Sequence, residues 1–396
     1  MSPRLAAAES QFDWSLILLV GALLSFGLIM LTSASMSVAE SSTGRPFFYL
    51  LQQLLAVGIG ILFALFVLRI PTDIWERLAP PLLIFALILL VAVLLPGVGR
   101  EVNGSTRWLS VAGINLQVSE PARLLVLMYI SGYAVRHRED LRAGIIEFLR
   151  PMFIVFVVCG LLLAEPDFGA TVVMLLISMA VLFVAGAPLR FFLLLCGVVV
   201  SLLTILAVSA PYRLARLTGF TDPWSDPFGS GFQLTQSLIA IGSGEWFGVG
   251  LGNSVQKLFY LPEAHTDFVF AVIAEEFGVA GTAVLIGLFA VLVWRALCIS
   301  MDAAERNRYF QAYLAFGIAI WQGTQVLINL GVNMGILPTK GLTLPLISYG
   351  RSSLIITLVA LALLLRIDME TRGVVASTGQ RGKAKKRKPA VGKKRK

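Results

Sequence analysis

The chain has 396 residues, of which 57% are hydrophobic and 14% charged, with a formal net charge of +9. A water-soluble globule carries roughly 25% charged residues, so the composition excludes one and requires a chain embedded in lipid. The positive charge belongs to one end: residues 380–396, QRGKAKKRKPAVGKKRK, hold ten basic residues and no acidic one, and without them the net charge is −1.

Taken in chain order, apolar runs lie at 14–34, 48–68, 78–95, 121–135, 151–164, 170–187, 190–209, 268–294, 311–333 and 352–366. A helix of roughly 20 residues crosses a bilayer core, so these runs predict an all-α polytopic membrane protein with about ten transmembrane helices. The runs at 121–135 and 151–164 are short, which leaves eight or nine as the alternative count. None alternates with the period of two that a β-barrel strand needs. The first run follows Arg4 and precedes the small residues Ser33, Ala34 and Ser35, as a secretory signal would. It is long for such a signal and many spans follow, so it reads as a retained helix.

Lys and Arg are kept in the cytoplasm by short connections. One set of alternate connections, with the tail, carries 23 of them and the other set 8. Both termini are therefore expected on the cytoplasmic side. The body, 1–378, is expected to form one membrane domain. The tail, 379–396, is expected to be a disordered basic segment attracted to anionic lipid headgroups, with no nucleic-acid partner. Cys159, Cys196 and Cys298 sit in or near apolar runs and read as small core residues. His137 and His265 fall on opposite sides, so no histidine metal site is expected.

Three non-cytoplasmic connections are long, 96–120, 210–267 and 334–351, and loops of that length are usually functional. The second, before the eighth helix, is rich in Trp, Phe and Gly and is expected to fold back as short amphipathic helices on the membrane face. Its glycines in GSGEWFGVGLG (242–252) lack the Gly-Lys-Ser/Thr ending of a phosphate loop.

That connection ends in LPEAHTDFVFAVIAEEFG (261–278), which places Glu263, His265 and Asp267 at the mouth of an apolar helix. Two readings stand. Thr266 or Asp267 caps the helix, with the acid favoured by the helix dipole; or the carboxylate belongs to a site. Glu275 and Glu276 lie two turns further in, a costly place for acids, so this helix lines a polar groove or meets a cation. Arg213, Arg216 and Lys257 precede the helix, while Lys340 and Arg351 bracket the last loop. Singly each reads as an interfacial anchor; grouped beside Asp267 they fit an anionic ligand at the outer surface. Glu120 and Arg123 are spaced to pair on one helix face. Glu165 and Asp167 in EPDFG either shape a channel or cap the next helix.

The segment INLGVNMGILPTKGLTLPLISYGRSSL (328–354) is similar to the signature of the SEDS family, the shape, elongation, division and sporulation proteins. Asn329, Gly335, Leu337, Pro338, Gly341, Pro345, Ser348, Tyr349, Gly350, Ser352 and Ser353 carry the likeness. NGSTRWLSVAGINLQVSEPARL (103–124), AEPDFGATVV (164–173) and GNSVQKLFYLPEAHTDFVFAVIAEEFG (252–278) resemble the same family, and the likeness runs to about residue 372, closest to the division branch. Arg123 departs from the Lys of many relatives.

The resemblance implies a peptidoglycan glycosyltransferase of the bacterial inner membrane that polymerises lipid II at the division septum, inverting the sugar linkage and releasing undecaprenyl pyrophosphate. It implies that Asp267 is the essential acid. Arg213, Arg216, Lys257, Lys340, Arg351, His265 and Glu263 are then candidates for holding lipid II and its pyrophosphate, with or without a divalent cation (Mg or Mn). Glu120, Arg123, Asp167, Ser348 and Ser352 are supporting residues. A class B penicillin-binding transpeptidase and division regulators are the implied partners. A lipid II flippase and a non-enzymatic division scaffold are the alternatives; the first needs a midplane path with repeat symmetry, and the second gives no use for the Asp267 cluster.

Overall fold

The computed structural model describes residues 12–102, 105–111, 114–208, 222–229, 231–338 and 341–373. Arg213, Arg216, Lys340 and the basic tail 379–396 lie outside the described residues. The described helices are α1 (Trp14–Thr43), α2 (Phe48–Arg69), α3 (Thr72–Leu94), α4 (Ser119–Arg136), α5 (Arg138–Ala143), α6 (Ile145–Ala164), α7 (Phe168–Val184), α8 (Leu189–Val208), α9 (Phe232–Ser243), α10 (Val269–Glu305), α11 (Tyr309–Asn333) and α12 (Arg351–Thr371).

Each of the ten apolar runs coincides with one helix. Seven, α1, α2, α3, α6, α10, α11 and α12, are long and apolar enough to cross a membrane, and α7 and the first half of α8 are shorter apolar helices. The chain is thus a multi-pass helical membrane protein. The expectation of an all-α fold needs one correction, because residues 96–120 carry an antiparallel sheet. Its strands are β1 (Gly99–Val102), β2 (Ser105–Val111) and β3 (Ile114–Gln117) in the order β1-β2-β3. Trp108 faces Gln117 and Leu109 faces Leu116 across the second pair. The hydropathy of the run is too low to register as a span, and strands of four to seven residues leave no long periodic signal.

Helix α12 forms the middle of the bundle: 89% of its most apolar window is buried, against 22% for α2, which packs on it and turns its other face outward. A central helix must have every charge paired. Arg366 Nε lies 2.8 Å from Glu370 Oε1 and Arg372 Nε 2.9 Å from Asp368 Oδ1. Arg295, in the last third of α10, bonds Asp13 at 2.5 Å and reaches Asp368 at 3.5 Å. Glu370 also accepts from the Thr72 backbone N–H at 3.1 Å and from its hydroxyl. Two ion clusters therefore meet on the last turns of α12: Asp13, Arg295, Asp368 and Arg372 tie it to the start of α1 and to α10, while Glu370, Arg366 and Arg308 tie it to the start of α3 and to the turn before α11.

Helix α10 breaks at Gly278, whose φ of 64° and ψ of −163° suit glycine alone. A break frees backbone groups that lipid cannot satisfy. Residues 245–250 satisfy them: Val249 N–H donates to Glu275 O (3.0 Å), Gly250 N–H to Glu276 O (3.1 Å), Val279 N–H to Glu245 O (2.9 Å) and Ala280 N–H to Trp246 O (3.0 Å). The glycine-rich segment is thus a backbone splint, and among its described residues the connection contributes one short helix, α9. Of the two readings of Glu275 and Glu276, meeting a cation holds for Glu276, which pairs with Lys257 at 2.7 Å. Glu275 accepts instead from Ser254 Oγ (2.5 Å) and Val255 N–H (2.9 Å).

Candidate functional site

Asp267 lies just before α10, and three elements fix it. Its backbone carbonyl accepts from Asn329 Nδ2 (2.9 Å) and Asn333 Nδ2 (3.0 Å), one turn apart on α11. The capping reading fails here. The cap residue is Phe268, with no side-chain cap bond, and the Ala271 N–H of the first turn donates to Asn333 Oδ1 at 3.2 Å. Because Asn333 caps the helix from across the bundle, the Asp267 carboxylate is left without a hydrogen bond among the described residues. Asn329 also holds the last loop against it by donating to Leu342 O at 2.7 Å. A Cβ at the neighbouring Gly341 would lie 2.8 Å from Asp267 Oδ2, so a side chain there would displace the carboxylate.

Burial pushes the Asp267 carboxyl up to about 7; Glu263 adds to the rise and the Arg107 guanidinium opposes it. A carboxylate poised there takes up a proton near neutral pH. Arg107, on β2, stands 3.9 Å from Asp167, and its buried Nε has no hydrogen-bond partner among the described residues. The same strand anchors the α6–α7 turn through Ser105 Oγ, which donates to Glu165 O at 2.9 Å. Glu165 is fully buried, and burial followed by Asp167 raises its carboxyl to about 8. Arg107 therefore stands among three acids, Asp167, Glu165 and Asp267. Sequence reading passed over it, because only the sheet turns an apparent loop residue toward the helix mouth.

At the rim, His265 lies between Tyr49 and Tyr349, ring centroids 4.7 and 5.8 Å away, and Tyr349 N–H donates to His265 O at 2.9 Å. Burial lowers the His265 pKa, against Glu263, so the ring is neutral at pH 7. Glu263 is exposed and accepts from Thr266 Oγ1 at 2.6 Å. Arg351 is half-buried and donates to Gln52 Oε1 at 3.0 Å. These residues and Asp267 come together at one mouth.

Others of the expected site do not. Lys257 has to be corrected: it is 5% exposed and its ammonium is held by Glu276 and by Ser33 Oγ at 2.9 Å, so no anion reaches it. Glu120 and Arg123 pair at 3.2 Å in the interior, and Arg123 also donates to Gln325 Oε1 at 3.2 Å. Gln325 Nε2 in turn donates to Thr343 O at 2.9 Å, so the pair braces the last loop from behind. Ser348 Oγ accepts from Leu344 N–H (2.8 Å) and Ser352 Oγ from Gln117 N–H (2.9 Å), fastening that loop to itself and to β3. Asp167 does cap α7, accepting from Ala170 N–H at 3.0 Å, while its other oxygen accepts from Ser119 Oγ at 3.0 Å. Among the described residues no group of three or more His, Cys, Asp or Glu could hold a metal ion.

A family model of cell cycle proteins, FtsW/RodA/SpoVE, matches residues 13–373. The chain belongs to this family. Among its relatives, a probable peptidoglycan glycosyltransferase FtsW of Thioalkalivibrio sulfidiphilus is 54% identical over 361 residues, 91% of this chain and 90% of the relative. A protein of the same description from Legionella pneumophila is 52% identical over 363 residues, 92% of each chain. Of solved structures, a chain of a peptidoglycan synthase complex, described for its coordination of polymerization and crosslinking, superposes with a TM-score of 0.73 at 32% identity. It covers 91% of this chain and 98% of that one. The rod shape determining protein RodA of Thermus thermophilus gives a TM-score of 0.66 at 32% identity over 90% and 96% of the two chains. Family membership agrees with the resemblance carried by residues 328–354, and the fold that presents Asp267 is shared with these structures.

Proposed function

We propose that the chain is a peptidoglycan glycosyltransferase that polymerises lipid II, with Asp267 as its general base. The observation that carries the reading is the Asp267 carboxylate, held by its backbone at a helix mouth while Asn333 takes over the capping it would otherwise do. Its relatives' description as probable peptidoglycan glycosyltransferases supports the reaction class.

In this reading Asp267 takes the proton of the acceptor sugar's 4-hydroxyl as that oxygen attacks the anomeric carbon of the donor. The bond to the pyrophosphate breaks on the opposite face, an α linkage becomes β, and undecaprenyl pyrophosphate leaves with the bonding pair. The developing negative charge needs preorganised cations. Arg107 and Arg351 are the described residues placed to supply it; Arg213, Arg216 and Lys340 complete the set proposed from sequence. A divalent cation would be held by pyrophosphate oxygens and one or two carboxylates, as Mg²⁺ commonly is. The exposed Glu263 is the carboxylate that fits, and the ion would neutralise the leaving group.

The same reading places ten spans in the bacterial inner membrane at the septum, both termini in the cytoplasm, and Asp267 on the outer face. A penicillin-binding transpeptidase is the proposed partner, supported by the likeness to a chain of a synthase complex that couples polymerization with crosslinking. The test is polymerisation of purified lipid II in liposomes by the wild type and Asp267→Asn, each with a transpeptidase whose crosslinking site is inactivated. Loss of general-base catalysis costs about 10² to 10⁴ in rate. A folded Asp267→Asn protein that polymerises at the wild-type rate overturns the assignment, and a wild type that only moves lipid II across the bilayer overturns the reaction class.

A further inference from the structure

A glycosyl transfer needs more than a base, because the acceptor ring must be held with one hydroxyl against Asp267. Two residues before Asp267, His265 joins Tyr49 and Tyr349 in a cluster assembled from three separate parts of the chain. Tyr49 comes from the start of α2, His265 from the connection before α10, and Tyr349 from the loop before α12.

The three rings pack tilted or edge-to-face, not stacked. The ring planes meet at 42° for Tyr49 and His265, 77° for Tyr49 and Tyr349, and 44° for His265 and Tyr349, so none covers another face to face. All three side chains are half-buried rather than sealed in the core. His265 Nδ1 is itself buried and has no hydrogen-bond partner among the described residues. Polar groups stand around the rings: Gln52, its amide oxygen engaged by Arg351, and the exposed Glu263 carboxylate. Simple core packing accounts for the ring contacts. It does not account for three aromatic residues held at the mouth of the site with a polar rim and an unmatched ring nitrogen.

A pyranose ring has the complementary surface. Its axial C–H groups make an apolar face that lies on an aromatic ring, and its equatorial hydroxyls reach sideways to amide, carboxylate and imidazole groups. Aromatic side chains with a polar edge suit such a half-apolar, half-wet ligand. We infer that Tyr49, His265 and Tyr349 form a sugar-binding subsite that seats the acceptor's pyranose ring and presents its hydroxyl to Asp267. This rests on the glycosyltransferase reading above and adds to it the residues that recognise the acceptor.

The experiment is a lipid II titration with the full chain in liposomes together with its transpeptidase partner. It measures KM and kcat for the wild type, Tyr49→Ala, Tyr49→Phe, Tyr349→Ala and Asp267→Asn. Loss of one stacking ring is expected to raise KM about 3- to 10-fold, with a smaller change in kcat. Tyr49→Phe recovers most of the affinity, because the ring and not the hydroxyl makes the contact. Should Tyr49→Ala melt at a lower temperature than the wild type, Tyr49→Leu, apolar but without a ring, is expected to show the same rise in KM. An unchanged KM in the Ala and Leu variants, or a loss confined to kcat, overturns the subsite. Those outcomes leave the base assignment standing if Asp267→Asn is inactive; a fully active Asp267→Asn overturns the base assignment itself.

Discussion

Asp267 can act as a base because other residues do its structural work. Asn333 caps α10, Asn329 and Asn333 hold the Asp267 carbonyl, and Gly341 keeps the space beside its Oδ2 clear. Gly341→Ala is expected to push the carboxylate aside by a few tenths of an ångström; a misplacement approaching 1 Å costs up to about 10²-fold, so a loss of about 10-fold in kcat is expected. Single-turnover rates of a variant that melts like the wild type check this. The pH dependence follows from the carboxyl pushed up to about 7. The ionised form is the base, so activity rises with pH through that value and saturates above it. Arg107 favours the ionised form, so Arg107→Gln raises the Asp267 pKa further and moves the acid limb to higher pH. A limb that stays in place in the pH–rate profile would disconnect the two residues. Linkage gives the opposite sign for stability. A carboxyl whose folded pKa exceeds its unfolded value stabilises the fold when protonated, and that contribution is lost as pH rises through about 7. Asp267→Asn is therefore expected to melt above the wild type at pH 8, with the gap closing toward pH 4. Of this site the sequence makes Asp267, His265 and Glu263 legible, because titratable residues at the mouth of an apolar helix stand out. Arg107 was hidden, since its meaning depends on a three-stranded sheet whose strands are too short to announce themselves.

At the scale of elements, the connection from α9 to α10 is held by charges that look functional in sequence and are structural in space. Glu276, Lys257 and Ser33 form one buried contact that ties this connection to both α10 and α1. Removing one member of a buried ion pair strands the other, at about 3–5 kcal/mol, whereas replacing both with apolar groups of similar volume is often neutral. Lys257→Met is thus expected to lower the melting temperature of the purified protein. The double variant Lys257→Met/Glu276→Leu should recover much of it, short of the hydrogen bond Ser33 also loses. Were Lys257 an anion ligand, the double variant would melt normally and still lose its affinity for lipid II. The ten apolar runs were each legible as one helix because hydropathy marks the lipid-facing stretch, but their ends were not: α1 runs on to Thr43 and α10 to Glu305, well past the apolar runs that end at 34 and 294. The break at Gly278 was not legible either, since the splint that makes it tolerable is 28 or more residues upstream.

Across the whole molecule the two ends of the bundle treat charge differently. At one end Asp13, Asp368 and Glu370 are each matched by arginines from other helices or a neighbouring turn. At the other, Asp267 and Glu165 are buried or half-buried without a paired cation among the described residues. Matched charges rigidify an end; unmatched ones are stable only where a ligand or a proton completes them. In the orientation proposed from the lysine and arginine distribution, the matched end faces the cytoplasm and the unmatched end the outside, where a sugar polymer would be made. That orientation is testable without any assay of activity. In a background with Cys159, Cys196 and Cys298 replaced, a cysteine placed by Ser42→Cys at the exposed end of α1 should react with a membrane-impermeant maleimide in intact cells lacking an outer-membrane barrier. One placed by Asn307→Cys, between α10 and α11, should react only after the membrane is opened. The reverse pattern would put Asp267 beside the cytoplasm, where the lipid-linked donor is built rather than polymerised, and the glycosyltransferase reading would fail at the level of the whole fold even if every distance around Asp267 were right.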